Sequence, residues 1–140
     1  MILLDTNVIA ELMRPAITPA VAAYLQAQDP QLLFTASLCA AEIHHGIARL
    51  PAGRRREALA RAFHHFLAEG LTGRVLVFDN ACAEGYARVR VRREAAGLPI
   101  SLPDAMIAGT ALAHGATVAS RNVGDFAGCG VAIANPWDGP

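Results

Sequence analysis

Five short apolar runs, with helical stretches between the first four, limit what this chain can become. The runs are Ile2–Leu4, 32–35, 75–78, 117–120 and 131–133. Helical segments are expected over 7–13, stopped by Arg14-Pro15, and after Thr18-Pro19, with threonine as cap and proline in the first turn. Ser37 is expected to cap a helix over 37–50, and a longer one follows over 54–69. Asn80 reads as the cap of a helix reaching residue 96, and the last long helix spans 103–114, ended by Gly115. Strands that alternate with helices feed a parallel sheet with helices on both faces. The expected architecture is therefore α/β, one α/β/α sandwich over residues 1–140 with a mainly parallel sheet of about five strands.

A chain of 140 residues that is 54% hydrophobic lies in the globular range and can bury a sizeable core. No stretch reaches the ~20 uninterrupted apolar residues of a membrane span. Met1 directly precedes the first strand, so no leader is expected. Cys39, Cys82 and Cys129 are odd in number and irregular in spacing, which argues for small apolar fillers in a reducing, cytoplasmic setting. Net charge is zero, so distribution matters more than balance. All 12 basic residues are arginine, and two clusters stand out: Arg54, Arg55, Arg56 and Arg61, then Arg88, Arg90, Arg92 and Arg93. Each cluster reads equally as a phosphate-binding surface or as a solvated helix face.

Three isolated acids carry the functional signal. Asp5 follows the first strand, at the edge where parallel sheets bind ligands, although the same residue can simply cap the next helix. Glu42 lies on the shoulder of the stripe Cys39, Ile43, Ile47 and Leu50. Asp104 stands in the first turn of an apolar helix, where the helix dipole alone would favour it. Carboxylates at strand ends and helix starts converge on one sheet edge, and three together repel one another unless a cation intervenes. Mg²⁺ or Mn²⁺ suits such oxygen donors and can activate water against a phosphodiester. After the fourth strand, Ser120, Arg121, Asn122 and Asp125 bring a hydroxyl, a guanidinium, an amide and a carboxylate to the same edge.

Four pieces in order, Leu4-Asp5-Thr6-Asn7, the Ala-Glu-Ile-His-His-Gly-Ile around Glu42, Leu102-Pro103-Asp104-Ala105 and Thr-Val-Ala-Ser-Arg-Asn-Val-Gly-Asp-Phe ending at Phe126, resemble the PIN-domain nucleases. Within them the chain is similar to the VapC/FitB-type toxins of bacterial toxin–antitoxin pairs, collinear to the closing Ala134-Asn135-Pro136-Trp137. The resemblance implies a Mg²⁺- or Mn²⁺-dependent endoribonuclease, a homodimer, and inhibition by a small DNA-binding antitoxin whose arginine reaches the acidic pocket. It maps the metal-site acids onto Asp5, Glu42 and Asp104. The family's fourth acidic position falls on Asn122, with Asp125 nearby. That amide removes a charge and fits a single metal, or a second one recruited with RNA.

Thr6 and Ser120 read either as hydroxyls orienting carboxylates or phosphate, or as ordinary strand-end hydrogen-bonding groups. Arg121 can hold substrate phosphate or pair with Asp125. His44, His45, His64 and His65 come as adjacent pairs that point apart on a helix, so they read as surface residues. With no histidine pair to form a cyclic phosphate, the expected products carry a 3′-hydroxyl and a 5′-phosphate. A haloacid-dehalogenase-like phosphatase also begins with a strand-end Asp. It wants a second acid two residues on, where Asn7 stands, and a lysine, which the chain lacks. A non-catalytic RNA-binding module is the other alternative. Val21, Tyr24, Leu25, Phe63, Phe66 and Leu67 can form either a groove for a partner helix or ordinary core.

Overall fold

Ile2–Leu4 is the central strand (β1) of a five-stranded sheet in which every neighbour runs parallel. The structure, a computed structural model, describes residues 1–140. Leu33–Ala36 (β2) pairs with one side of β1 and Thr117–Ala119 (β4) with the other; Val75–Leu76 (β3) and Ile133–Ala134 (β5) are the edges. All three residues of β1 are buried, as a strand covered on both faces must be. Seven helices supply the cover: Thr6–Leu12 (α1), Pro19–Gln26 (α2), Ser37–Ala48 (α3), Arg54–His65 (α4), Asn80–Ala95 (α5), Leu102–His114 (α6) and Val123–Phe126 (α7).

The expected architecture is the observed one, and the differences lie at element ends. Ser37 is the first residue of α3, and the capping position belongs to Ala36, which offers no side chain to the helix. Asp79, not Asn80, caps α5: its Oδ1 accepts from the Cys82 amide at 3.0 Å. A carboxylate one residue earlier reaches the free amides of the first turn, which Asn80 no longer can. Thr18 makes no side-chain cap on α2; its amide instead donates to Glu11 Oε1 at 2.7 Å, tying the α1–α2 loop to α1. The helix expected over 54–69 is α-helical only to His65, then continues as a π-helical turn, Phe66–Gly70. The third strand is shorter than expected, and the fifth is shifted to Ile133–Ala134.

Helices α5 and α6 pack backbone to backbone. A Cβ on Gly109 would lie 2.7 Å from Tyr86 Cα, and one on Gly85 would lie 3.0 Å from the carbonyl carbon of Gly109. Both positions therefore demand glycine for close approach rather than for backbone freedom. Near the end of α5, Arg93 is buried and donates to the carbonyls of Leu98, Pro99, Gly124 and Ala127. One guanidinium thereby joins α5 to the connector before α6 and to α7. This removes Arg93 from any solvated arginine face. The three cysteines are free and buried, as expected of fillers.

The helix pair expected to form a partner groove is not one unit. Val21 and Phe63 are fully buried core residues. Helix α2 packs on the 3-10 turn Pro136–Asp138, whereas α4 packs on α3. The exposed apolar groove lies elsewhere, between α1, α3 and α4, with a volume near 540 Å³. His44 sets its ring edge-on to Phe63 at 4.9 Å.

Candidate active site

Parallel pairing brings the C-terminal ends of β1 and β4 side by side, in the register Leu4 to Ala119. The next residue on each strand is therefore Asp5 and Ser120. Asp5 is only 5% exposed, and its carboxylate accepts three hydrogen bonds. The Thr6 amide donates to Oδ1 at 2.8 Å, while Ser120 Oγ at 2.7 Å and Asn7 Nδ2 at 3.2 Å donate to Oδ2. Asp5 is also the N-cap of α1, so the capping and functional readings describe the same side chain.

Ser120 accepts from Asn7 Nδ2 and from the Asn122 amide, and Asn7 Oδ1 accepts from the Arg121 amide. The segment after β4 is thus laced to the segment after β1. Thr6 Oγ1 donates to Glu42 Oε1 at 2.7 Å, linking α1 to α3. Asp104 enters from α6, whose cap is Ser101: its Oγ accepts from the Asp104 amide at 3.2 Å.

Electrostatics place these acids within one another's field. Burial raises the Asp5 carboxyl above its ordinary value; Ser120 and Thr6 pull it back, and the charges of Asp104 and Glu42 push it up again. Asp104 is also raised, first by burial and then by Asp125 and Glu42, against hydrogen bonding from Ser101 and the field of Arg93. The chain has two salt bridges, Arg14 to Glu11 and Arg90 to Glu94, so none of the four acids is paired with an arginine. Arg121 does not pair with Asp125 as one expectation had it; its guanidinium lies over the Trp137 ring, 5.2 Å from the centroid. Cys39, buried beside this cluster, has its thiol pushed up to about 11 by burial and by the Asp5 charge, which leaves it unreactive.

No three His, Cys, Asp or Glu side chains are gathered tightly enough to enclose a metal on protein ligands alone. The donor set nevertheless fits a hard divalent cation. Mg²⁺ is commonly held by one or two carboxylates, with waters and phosphate oxygens completing its shell. A carboxylate raised by burial and then by its acidic neighbours would gain from the counter-charge such an ion provides.

Sequence reasoning named Asp5, Thr6, Glu42, Asp104, Ser120, Arg121, Asn122 and Asp125, and the fold brings the segments that carry them to one edge. It missed four supports, the first being Asn7, whose amide bridges Asp5 and Ser120. Ser101 could have been read from Ser101-Leu102-Pro103-Asp104, a serine followed three residues later by an acid ahead of an apolar run. Arg93 and Trp137 had no local signal, because their partners are distant in sequence.

Residues 2–127 match the PIN domain, and the chain belongs to that family. It is 38% identical to a VapC ribonuclease of Sinorhizobium fredii, over 99% of each chain. It is 36% identical to the toxin FitB of Neisseria gonorrhoeae, over 98% of this chain and 99% of that one. Among solved structures, FitAcB of Neisseria gonorrhoeae superposes with a TM-score of 0.91 at 36% identity, over 98% of this chain and 99% of that chain. A second structure, FitAB bound to a DNA fragment, gives the same TM-score and identity.

Proposed function

We propose that this chain is a Mg²⁺- or Mn²⁺-dependent endoribonuclease, the toxin of a toxin–antitoxin pair. One observation carries the reading. Asp5 is buried at the sheet edge, its carboxyl raised first by that burial and further by the charges of Asp104 and Glu42, and none of these acids is in a salt bridge. Asp5 and Asp104 would hold the ion, Glu42 would complete or orient its shell, and Asn122 and Asp125 would contribute at the margin. When bound, the ion supplies Lewis-acid stabilisation of the phosphodiester and lowers the pKa of water.

The chain's own residues do the positioning. Ser120, the Thr6 amide and Asn7 fix both oxygens of Asp5. Thr6 holds Glu42 towards the same edge, and Ser101 fixes the first turn of α6 beneath Asp104. Held this way, the carboxylates need little reorganisation as charge develops on the scissile phosphate. The products are a 3′-hydroxyl and a 5′-phosphate, because no general-base pair is in place to drive 2′-hydroxyl attack.

The partner is a small DNA-binding antitoxin, and this reading is supported by the similarity to FitAcB and FitAB. Its apolar segment would fill the groove between α1, α3 and α4, lined by Met13, Ile43, Ile47, Leu50 and Leu59 with Glu42 at the rim. An arginine leaving that groove past Glu42 would reach the acids and compete with the metal through bidentate pairing. A homodimer is supported by an apolar surface on the other side of α6. Leu102 is 57% exposed there and lines a shallow cavity with Phe78, Ala83, Tyr86 and Met106. No helix is long and apolar enough to cross a membrane, and the proposed site of action is the cytoplasm.

The deciding experiment is cleavage of single-stranded RNA with Mn²⁺ or Mg²⁺ and with EDTA, using wild type and Asp5→Asn. Metal-dependent cleavage lost in Asp5→Asn is the expected result. RNA binding without cleavage would instead establish the non-catalytic module, and light scattering of the free chain tests the dimer.

A further inference from the structure

The exposed cation at the acidic edge lies on the chain's single tryptophan. Arg121 follows Ser120 directly, and its amide is held by Asn7 Oδ1, so its backbone is anchored to the network that fixes Asp5. Its guanidinium sits 5.2 Å from the Trp137 ring centroid. Trp137 is held in turn: Asn135 Oδ1 accepts from its amide at 3.0 Å, and the Pro136–Asp138 turn packs on α2. That turn follows β5, whose Ala134 is paired with Ala119, so Trp137 stands at the same sheet edge as Asp5.

A planar guanidinium on an indole keeps its N–H edge free while losing much of its freedom of movement. Arg121 has no carboxylate partner and makes no side-chain hydrogen bond, although Asp125 is four residues away. An exposed arginine that ignores a nearby acid, beside a cluster that repels anions, is suited to an incoming phosphate. We propose that Arg121, pre-oriented by Trp137, is the docking point for a backbone phosphate of single-stranded RNA flanking the scissile bond. This rests on the ribonuclease reading and adds a subsite to it. Phosphate, rather than base, is favoured because the guanidinium makes no hydrogen bond or ion pair of its own, and a phosphate can take its donors bidentately. The contact sets register without selecting sequence.

The test uses the full chain with 5′-labelled oligo-U and oligo-A. Binding is measured in EDTA by fluorescence anisotropy across a salt series, and cleavage is measured with Mn²⁺. Arg121→Gln should raise KM about tenfold with kcat within about twofold of wild type, the pattern of lost uniform binding. The slope of log K against log salt should flatten by about 0.7, as expected for one phosphate on a single strand. Trp137→Phe, which keeps a ring but weakens the stack, should cost about threefold in affinity. Arg49→Gln, which removes an exposed arginine at the end of α3, should change neither quantity. An unchanged KM and salt slope in Arg121→Gln, with wild type still cleaving, would overturn the subsite alone. So would a loss that differs between oligo-U and oligo-A, which would mark base stacking, or an equal loss in Arg49→Gln. A wild-type chain that neither binds nor cleaves these RNAs would overturn the ribonuclease reading itself.

Discussion

Ser120 Oγ donates to Asp5 Oδ2 at 2.7 Å, joining residues 115 positions apart in the chain. The same hydroxyl oxygen accepts from Asn7 Nδ2 and the Asn122 amide, so one serine orients the central carboxylate and anchors the loop after β4. Ser120→Ala should lower RNA cleavage by about 10–100-fold, the usual cost of removing a group that orients a metal ligand. It should also lower stability by about 1–2 kcal/mol, since two part-buried donors lose their acceptor and the buried Asp5 carboxylate loses a donor. Single-turnover kinetics and urea denaturation of the same preparation check both.

Asp5→Asn removes a charge at constant volume, as does Asp104→Asn. Each should reduce Mn²⁺-dependent cleavage by more than about 100-fold, beyond the loss expected at a supporting residue. Mn²⁺ should raise the melting temperature of wild type, as any ligand of the native state does, and that rise should vanish in the double variant. Thermal scans with and without metal check this independently of turnover.

Glu11 accepts from the Thr18 amide and from Arg14, and these bonds hold its carboxyl down at about 2. A folded-state pKa below the unfolded value means that its contribution is present above the ordinary carboxyl range. That contribution is lost as pH falls through about 2. Glu11→Gln should therefore be less stable than wild type at neutral pH, with the gap closing as the solution is acidified from about 4.5 towards 2. Denaturant midpoints at a series of pH values would show the two curves converging on the acid side.

Gly109→Ala would drive a methyl group into the backbone of Tyr86, which cannot turn aside as a side chain would. The expected cost is about 3 kcal/mol, at the upper end of overpacking penalties. Gly46→Ala, where nothing lies within 4 Å of the new atom, should be neutral or slightly stabilising. Calorimetric scans of the pair separate packing from helix propensity.

Arg93→Met would leave four carbonyl acceptors without their donor and uncouple α5 from the segments leading to Asp104 and Asp125. A loss of about 3 kcal/mol is expected from the unsatisfied acceptors. Hydrogen exchange should quicken in the 98–104 and 122–127 backbone before it does in β1. Arg93→Lys should recover only part of the loss, because an ammonium cannot span four carbonyls arranged around a planar fork.

Much was legible in the sequence, and for a local reason. Strands and helices announce themselves through spacing, so the alternation of apolar runs with helical stretches was enough to specify a parallel sheet with cover on both faces. Asp5 and Asp104 could be assigned to one edge because a strand end and a helix start in such a sheet point the same way. Caps were less legible: Asp79 and Asn80 are both good capping residues, and only the turn after β3 decides which reaches the Cys82 amide.

The sequence by itself therefore determined the class of fold and which acid-bearing segments share one sheet edge. The tertiary structure decided everything that depends on two segments meeting. Strand order sets Ser120 against Asp5, and β5 brings Trp137 under Arg121, for which the sequence left phosphate binding and an Asp125 pair both open. The covering of α2 by the C-terminal turn buries Val21 and leaves the open groove to α1, α3 and α4. Periodicity records which face of an element is apolar, but not which other element will cover it. That choice is made by packing between residues with no fixed separation in sequence.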